Sequence, residues 1–217
     1  MLNQLVTTQR VTTHAERQEA LLVLADTYRE EKHWVEAEES LFPTSDLASD
    51  RITWFLARLG EKPAGVVRVS YDPPLAQYAS YGLTFLQEGI DVDAFLQQHR
   101  IAEIGRFAVR RRYRRKFTIS AALMRAATQE TVQRDYTHYI TDVFLGEVNS
   151  PYEFHTRVVG FQPVATHETG ELQCSNRRIT LVLNLREAYH RLRQSRRQVY
   201  EFLTRGWDEA THQKLRA

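Results

Sequence analysis

Hydrophobic positions along the chain change their period several times, and each change marks an element. Leu21, Leu24, Ala25 and Tyr28 fall at i, i+3, i+4 and i+7, the spacing of one helical face. Ahead of them Thr13-His14-Ala15-Glu16 has the form of a capping box, in which the Thr hydroxyl and the Glu carboxylate each take an orphan backbone N–H. An amphipathic helix of about five turns is predicted there. Residues 33–50 hold no period and read as loop, with Trp34 and Phe42 as anchors. From Ile52 to Leu59 β-branched and aromatic residues predict a strand, Gly60 to Gly65 supplies turn residues, and Val66 to Tyr71 predicts a second strand, together a hairpin. Residues 73–100 open with Pro73-Pro74 and read as an irregular insertion, with a helix over 91–98 capped by Asp91. Ala102 to Val109 predicts a strand. Ile119, Ala122, Leu123 and Ala126 predict a helix running to about Arg134. His138 to Phe144 reads as a strand, 149–159 as a short helix stopped by Gly160, and Arg178 to Leu185 as a further strand. Asn184 and Glu187 can cap one last long helix, where Leu185, Leu192 and Val199, and likewise Tyr189, Arg196 and Leu203, recur every seven residues.

Alternating elements after an antiparallel hairpin predict an α/β (α+β) fold, a mixed sheet with helices on both faces. The expected organisation is one domain over 1–185, containing the 73–100 insertion, and a helical extension over 186–217 packed on the domain or on a second copy as a homodimer. Two heptads are too few for a coiled coil. Composition adds exclusions. At 42% hydrophobic and 26% charged residues the chain can bury a core. Its one cysteine, Cys174, rules out an intramolecular disulfide framework and a Cys-rich zinc module. No apolar run reaches the roughly 18 residues of a membrane span. Residues 1–10 lack the basic start and apolar stretch of a signal peptide, so a cytoplasmic location is the default expectation.

Charge sharpens the picture. The formal net charge is only +2, but residues 110–116 read Arg-Arg-Arg-Tyr-Arg-Arg-Lys, six cations in seven positions. Without them 23 cations face 27 acids, so a mildly acidic molecule carries one basic knot. A second basic stretch, 186–205, holds six Arg against two Glu. Such concentrations face anionic partners: phosphate, nucleic acid, a membrane surface or an acidic protein. The knot lies between a strand and a helix. First-turn N–H groups of a helix have no internal partners and the helix dipole favours negative charge there, so this connection makes an anion site.

The segment resembles the GNAT superfamily of N-acyltransferases, whose motif runs from a strand ending in Ala-Val through Tyr-Arg-Gly-Lys-Gly-Ile-Gly into a helix. Here the run is Ala108-Val109, then Tyr113-Arg114-Arg115-Lys116-Phe117-Thr118-Ile119-Ser120-Ala121-Ala122-Leu123. A second signature is echoed by Asn149 and by Thr156-Arg157-Val158-Val159-Gly160-Phe161. The resemblance covers roughly residues 14–185. It implies a mixed, mostly antiparallel sheet, with the C-terminal helix as an addition. All three glycines of the family's phosphate loop are absent, with Arg115, Phe117 and Ile119 in their places. Glycine there lets the backbone curl around a pyrophosphate. Two branches share this departure, the acyl-homoserine lactone synthases and the long-chain N-acyl amino acid synthases, and both show Glu-x-x-Arg-Phe/Leu-Ala-Val. That pattern appears as Glu103, Arg106, Phe107, Ala108 and Val109. The run 25–31 and the long insertion look more like the N-acyl amino acid synthases.

The resemblance implies an acyltransferase with no permanently bound cofactor. Its co-substrate is a phosphopantetheine thioester, on acidic acyl carrier protein rather than on CoA, and its acceptor is a small amine such as an amino acid. It implies donor contacts from Val109, Arg110, Arg112, Arg114, Arg115, Lys116, Thr118 and Ser120. The Phe107 amide would face the oxyanion, Glu103 would act as base, and Arg106 would hold the acceptor carboxylate. The acid position falls at Thr156, with His155 or Tyr152 as substitutes, or the thiol leaves unaided. Plainer alternatives stay open. Glu103 and Arg106 can form a structural ion pair. The 110–116 run can be a solvated loop or a nucleic-acid patch, although its aromatics are not interleaved with its cations apart from Tyr113. None of the eight His sits in a ligand spacing, so no metal is expected. Cys174 has no His–Asp context that would make it a nucleophile. Acyl-CoA-dependent N-acetyl transfer, homoserine lactone synthesis and non-catalytic nucleic-acid binding are the rival functions.

Overall fold

The structure is a computed structural model that describes residues 5–74, 80–88, 91–148 and 150–216. Two compact units emerge. The first comprises Met1–Ser70, Ile104–Glu130 and Phe202–Arg205; the second comprises Tyr71–Glu103, Thr131–Glu201 and Gly206–Ala217.

In the first unit the strands run in the order β1 (Val6–Arg10), β2 (Ile52–Leu59), β3 (Lys62–Tyr71) and β5 (Ile101–Val109). Helix α1 (His14–Leu24) starts as its sequence dictates. Glu16 N donates to Thr13 Oγ1 at 3.2 Å, and Thr13 N donates back to the Glu16 carboxylate at 3.0 Å. At Ala25 the helix widens into a π-helical segment, Ala25–Glu31. Short α2 (Glu38–Leu41) follows. Phe42 stacks on Trp54 with ring centroids 4.1 Å apart, both buried, and the buried Arg17 donates to the Phe42 carbonyl at 3.0 Å. α4 (Phe117–Gln133) buries Ile119, Leu123 and Met124.

In the second unit the order is β5, β6 (His138–Phe144), β8 (Arg178–Asn184), β7 (Gln162–His167) and β4 (Thr84–Phe85). β5 pairs with β6 in parallel through Ile101, Ala102 and Glu103; β6–β8, β8–β7 and β7–β4 are antiparallel. α3 (Val92–Gln98) is capped by Asp91, which accepts from Ala94 N at 2.9 Å. The mixed, mostly antiparallel sheet with helices is the fold class that the alternating pattern predicts.

Several elements differ from the expectation. β3 begins at Lys62, because the hairpin turns on Gly60 (φ 58°) and a bulge between Ala57 and Arg58 admits Pro63 opposite Arg58. β1 and β7 arise in polar or proline-containing runs, and β4 is a two-residue strand within the 73–100 insertion. The single last helix is divided: α5 (Leu185–Ser195) ends at Arg196, which leaves helical geometry at φ −141°, and α6 (Arg197–Leu203) and α7 (Glu209–Arg216) follow. Ser195 Oγ donates to the Arg191 carbonyl at 2.7 Å, a side-chain bond that competes with the helical ladder at the break. The Asn184 cap is present, accepting from Glu187 N at 3.1 Å. Residue 149, where the short helix was expected to start, lies outside the described residues; the π-helical segment Phe154–Val159 ends at Gly160 with φ 99°.

Candidate functional site

β5 passes into α4 through the basic knot. The turn is stitched to itself: Tyr113 N donates to the Arg110 carbonyl (2.8 Å), Lys116 N to Tyr113 (2.9 Å) and Ile119 N to Lys116 (3.0 Å). Arg110 N donates to Ala64 on β3 at 3.0 Å. Ile119 is fully buried, and its room comes from Gly65, where a Cβ would stand 3.0 Å from Ile119 Cγ2 and 3.1 Å from the Ala108 carbonyl. Phe117 is 41% exposed, its ring 6.0 Å from Phe202. Thr118 is exposed and Ser120 half-buried.

Within β5 the backbone of Arg106 takes φ 50°. A left-handed residue without glycine's freedom costs about 1–2 kcal/mol, and such positions concentrate at functional sites. Alternation breaks there: Gly105, Arg106 and Phe107 are all half-buried, while Ala108 and Val109 are both buried. The Phe107 carbonyl accepts from the Tyr28 hydroxyl at 3.3 Å, and the Arg106 guanidinium lies 5.8 Å from the Tyr28 ring centroid. Burial raises the Tyr28 phenol, against the fields of Arg106, Arg68 and Arg114. Nearby Asp46 accepts from Trp54 Nε1 at 2.8 Å. Its carboxyl is pushed up by burial, with Trp54, Arg68 and Arg106 acting in the opposite direction.

The π-helical segment supplies groups that the sequence reading did not single out. Arg110 Nε meets Asp26 at 2.5 Å, and both terminal nitrogens of Arg114 meet the two Glu31 oxygens at 2.6 Å. Arg114 Nε also donates to the Val109 carbonyl at 2.9 Å. The Arg114 hydrogen bonds hold the Glu31 carboxyl below the usual range. Arg111, Arg112, Arg115 and Lys116 are exposed, with Arg112 lying over the Tyr113 ring at 4.9 Å.

Of the residues singled out from sequence, Arg106, Phe107, Val109 and 110–120 lie on one continuous stretch of the first unit; Glu103, His155 and Thr156 lie in the second. Glu103 is half-buried on β5 opposite Ile140. Its field and those of Glu171 and Asp142 add to burial in raising the Tyr81 phenol. His155 is buried against Phe161, ring centroids 4.9 Å apart, and burial lowers it to about 4, so its imidazole is neutral at pH 7. Thr156 Oγ1 donates to the Tyr152 carbonyl at 2.8 Å. His167 is a further buried group. Its Nδ1 faces the Thr169 carbonyl at 2.7 Å and its Nε2 faces Asp142 at 3.2 Å, while Tyr81 stacks on the ring. Among the described residues no group of three or more His, Cys, Asp or Glu is placed to hold a metal, and no helix is long and apolar enough to cross a membrane.

Residues 19–175 match the model of the family described as FeeM, N-acyl amino acid synthase. Among solved structures the chain is similar to FeeM, an N-acyl amino acid synthase from uncultured soil microbes, with a TM-score of 0.65 at 17% identity over 85% of this chain and 93% of that one. It is also similar to a GNAT-family protein from Desulfovibrio desulfuricans (TM-score 0.58, 12% identity, 83% and 99% covered). Arabidopsis thaliana NAA60 in complex with acetyl-CoA gives a TM-score of 0.57 at 14% identity, with 83% and 98% covered. At these identities the structural likeness shows the fold, which is that of the GNAT acyltransferases. No curated protein matches the sequence.

Proposed function

The chain belongs to the FeeM family of N-acyl amino acid synthases, and we propose that it moves a long-chain acyl group from the phosphopantetheine thioester of an acyl carrier protein to the amine of an amino acid. Membership makes it an N-acyltransferase; carrier and acceptor are our reading. The observation that carries the donor is the turn between β5 and α4. Its amides at Tyr113, Lys116 and Ile119 are spent on its own carbonyls, and Ile119 fills the space beside Gly65. A turn closed in this way leaves little backbone to wrap a pyrophosphate, but its exposed cations and the positive end of the α4 dipole suit a single phosphate on an acidic partner.

In this reading the thioester lies along the end of β5. The left-handed backbone at Arg106 re-aims the next peptide, and the Phe107 amide meets the oxyanion as it develops. Val109 pairs with the pantetheine. Arg106 takes the acceptor carboxylate, for which its planar fork is suited. An α-amino group with a pKa near 8 is roughly a third neutral at pH 7.5, so a modest base such as Glu103 is enough. Of the two candidates for a general acid, the Thr156 hydroxyl donates to a carbonyl and His155 is buried and neutral. The thiolate, with a pKa of about 8.5, leaves without a dedicated acid.

The test supplies acyl carrier protein loaded with a long-chain acyl group, or the matching acyl-CoA, together with a panel of amino acids, and reads N-acyl products by mass spectrometry. The expected result is an N-acyl amino acid formed faster from the carrier. Products from CoA alone would reassign the donor, and no amide from either would remove the reading.

A further inference from the structure

Two of the six cations in the β5–α4 turn are neutralised from within the protein. Arg110 and Arg114 are the less exposed of the set, their side chains 16% and 17% accessible. Arg114 directs Nε to the Val109 carbonyl and both terminal nitrogens to Glu31; Arg110 directs Nε to Asp26. The four exposed cations carry the remaining charge of the turn.

We infer that Asp26 and Glu31 are specificity-determining residues that select the donor by charge, admitting the single phosphodiester of a carrier-bound pantetheine arm in preference to the several charges of CoA. The inference rests on the donor site proposed above and deepens it. A phosphate that reaches for Arg114 must displace a bidentate carboxylate, the strongest partner a guanidinium has among protein side chains. A ligand with a pyrophosphate and a further phosphate is repelled more strongly by two nearby carboxylates than a ligand with one charge.

The placement of the two acids is built. Residues five apart on an α-helix project about 140° from one another, so an ordinary helix could not turn Asp26 and Glu31 to the same side. Here the helix is π-helical over Ala25–Glu31, and Lys32 N donates to the Thr27 carbonyl at 3.1 Å, an i to i+5 bond. That wider winding reduces the angle between positions five apart, and π-helical segments are frequent at functional sites. The Arg114 bonds keep Glu31 ionised throughout the pH range in which an amine can attack.

The experiment compares Asp26→Asn and Glu31→Gln, singly and together, with the unaltered protein. It measures KM for a long-chain acyl-CoA and for the same acyl group on carrier protein, the Kd of CoA itself by calorimetry, and thermal unfolding. Each substitution is expected to lower the Kd of CoA and the ratio of the two KM values by about fivefold, an effect that fades in about 1 M salt. Glu31→Asp, which keeps the charge, should keep the ratio. A ratio unchanged within twofold would overturn the inference. So would weaker CoA binding together with a lower Tm, which would make the two acids struts of the turn. Asp26 is the more exposed acid, and its variant serves if Glu31→Gln fails to fold. The calorimetric arm needs no turnover, so a protein that transfers from neither donor would end the functional reading while the charge filter was still being tested.

Discussion

A Cβ added at Gly65 would lie 3.0 Å from Ile119 Cγ2, 3.0 Å from Leu123 Cδ1 and 3.1 Å from the Ala108 carbonyl. The backbone oxygen cannot yield, and both side chains are fully buried. Gly65→Ala is therefore expected to cost about 1–3 kcal/mol, read as a lower urea midpoint. Ile119→Ala in the same chain removes one of the clashing methyls, so the double variant should lose less than the sum of the single losses by at least about 0.5 kcal/mol; strict additivity would show that Gly65 does not make room for Ile119. The pair also shows how a turn can lack its expected glycines. The bulky side chain at 119 is accommodated by a glycine on the neighbouring strand. At Glu103 the expectation is kinetic. If its carboxylate takes the acceptor's proton, Glu103→Gln slows transfer by about 10²–10⁴-fold, and the pH–rate profile loses its acid limb. A loss below about threefold would leave Glu103 a structural residue.

At the scale of elements, buried histidines tie the second unit to pH. His155, buried against aromatic rings, and His138, buried beside His99, are both lowered to about 4 by desolvation. Such groups stay neutral in the fold but take up protons when unfolded below about pH 6.5. Their contribution is present above that pH and is lost as pH falls towards 4, on the order of 3 kcal/mol for His155. His167 runs the other way. Burial pulls it down, but the Asp142 hydrogen bond and charge and the Thr169 carbonyl outweigh burial and the Arg178 field, so its pKa is raised. Its contribution is complete below about 6.5 and is lost as pH rises through the raised value. Urea midpoints from pH 4.5 to 8.5 should show His155→Gln flattening the acid side and His167→Gln flattening the alkaline side; parallel curves would contradict both. These elements also mark how much of the molecule could be read from sequence. β2, β5, β6, β8 and α4 declare themselves because one face or both are apolar. β1 and β7 do not: Thr7, Thr8 and Gln9, or Gln162 and Pro163, form strands only because β2 and β8 offer ladders to pair with. The strand, knot and helix were legible because they are contiguous. Asp26 and Glu31 reach their arginines across 84 and 83 residues, beyond any local pattern.

On the whole molecule, a formal net charge of +2 conceals a mildly acidic body with one basic turn. The structure divides the cations of that turn into two sets. Arg110 and Arg114 are held by Asp26 and Glu31, whereas Arg111, Arg112, Arg115 and Lys116 face solvent. If the donor is the proposed acidic carrier, it meets the exposed four first, and the charge pattern acts on encounter and register more than on chemistry. Reversing Arg111 and Arg112 to Glu should therefore lower kcat/KM for acyl carrier protein by tenfold or more at low salt, mostly through KM. The gap to the unaltered protein should narrow as salt rises and the Debye length shrinks from about 10 Å at 0.1 M to about 3 Å at 1 M. Reversing Arg114 should act differently. It places a carboxylate against Glu31, so the expected loss includes stability, a Tm decrease that Arg111→Glu does not share. Steady-state kinetics across a salt series, with Tm measured for each variant, separates the two. A salt-independent loss at Arg111 and Arg112, or equal Tm decreases at all three positions, would show that the exposed cations do not guide the carrier.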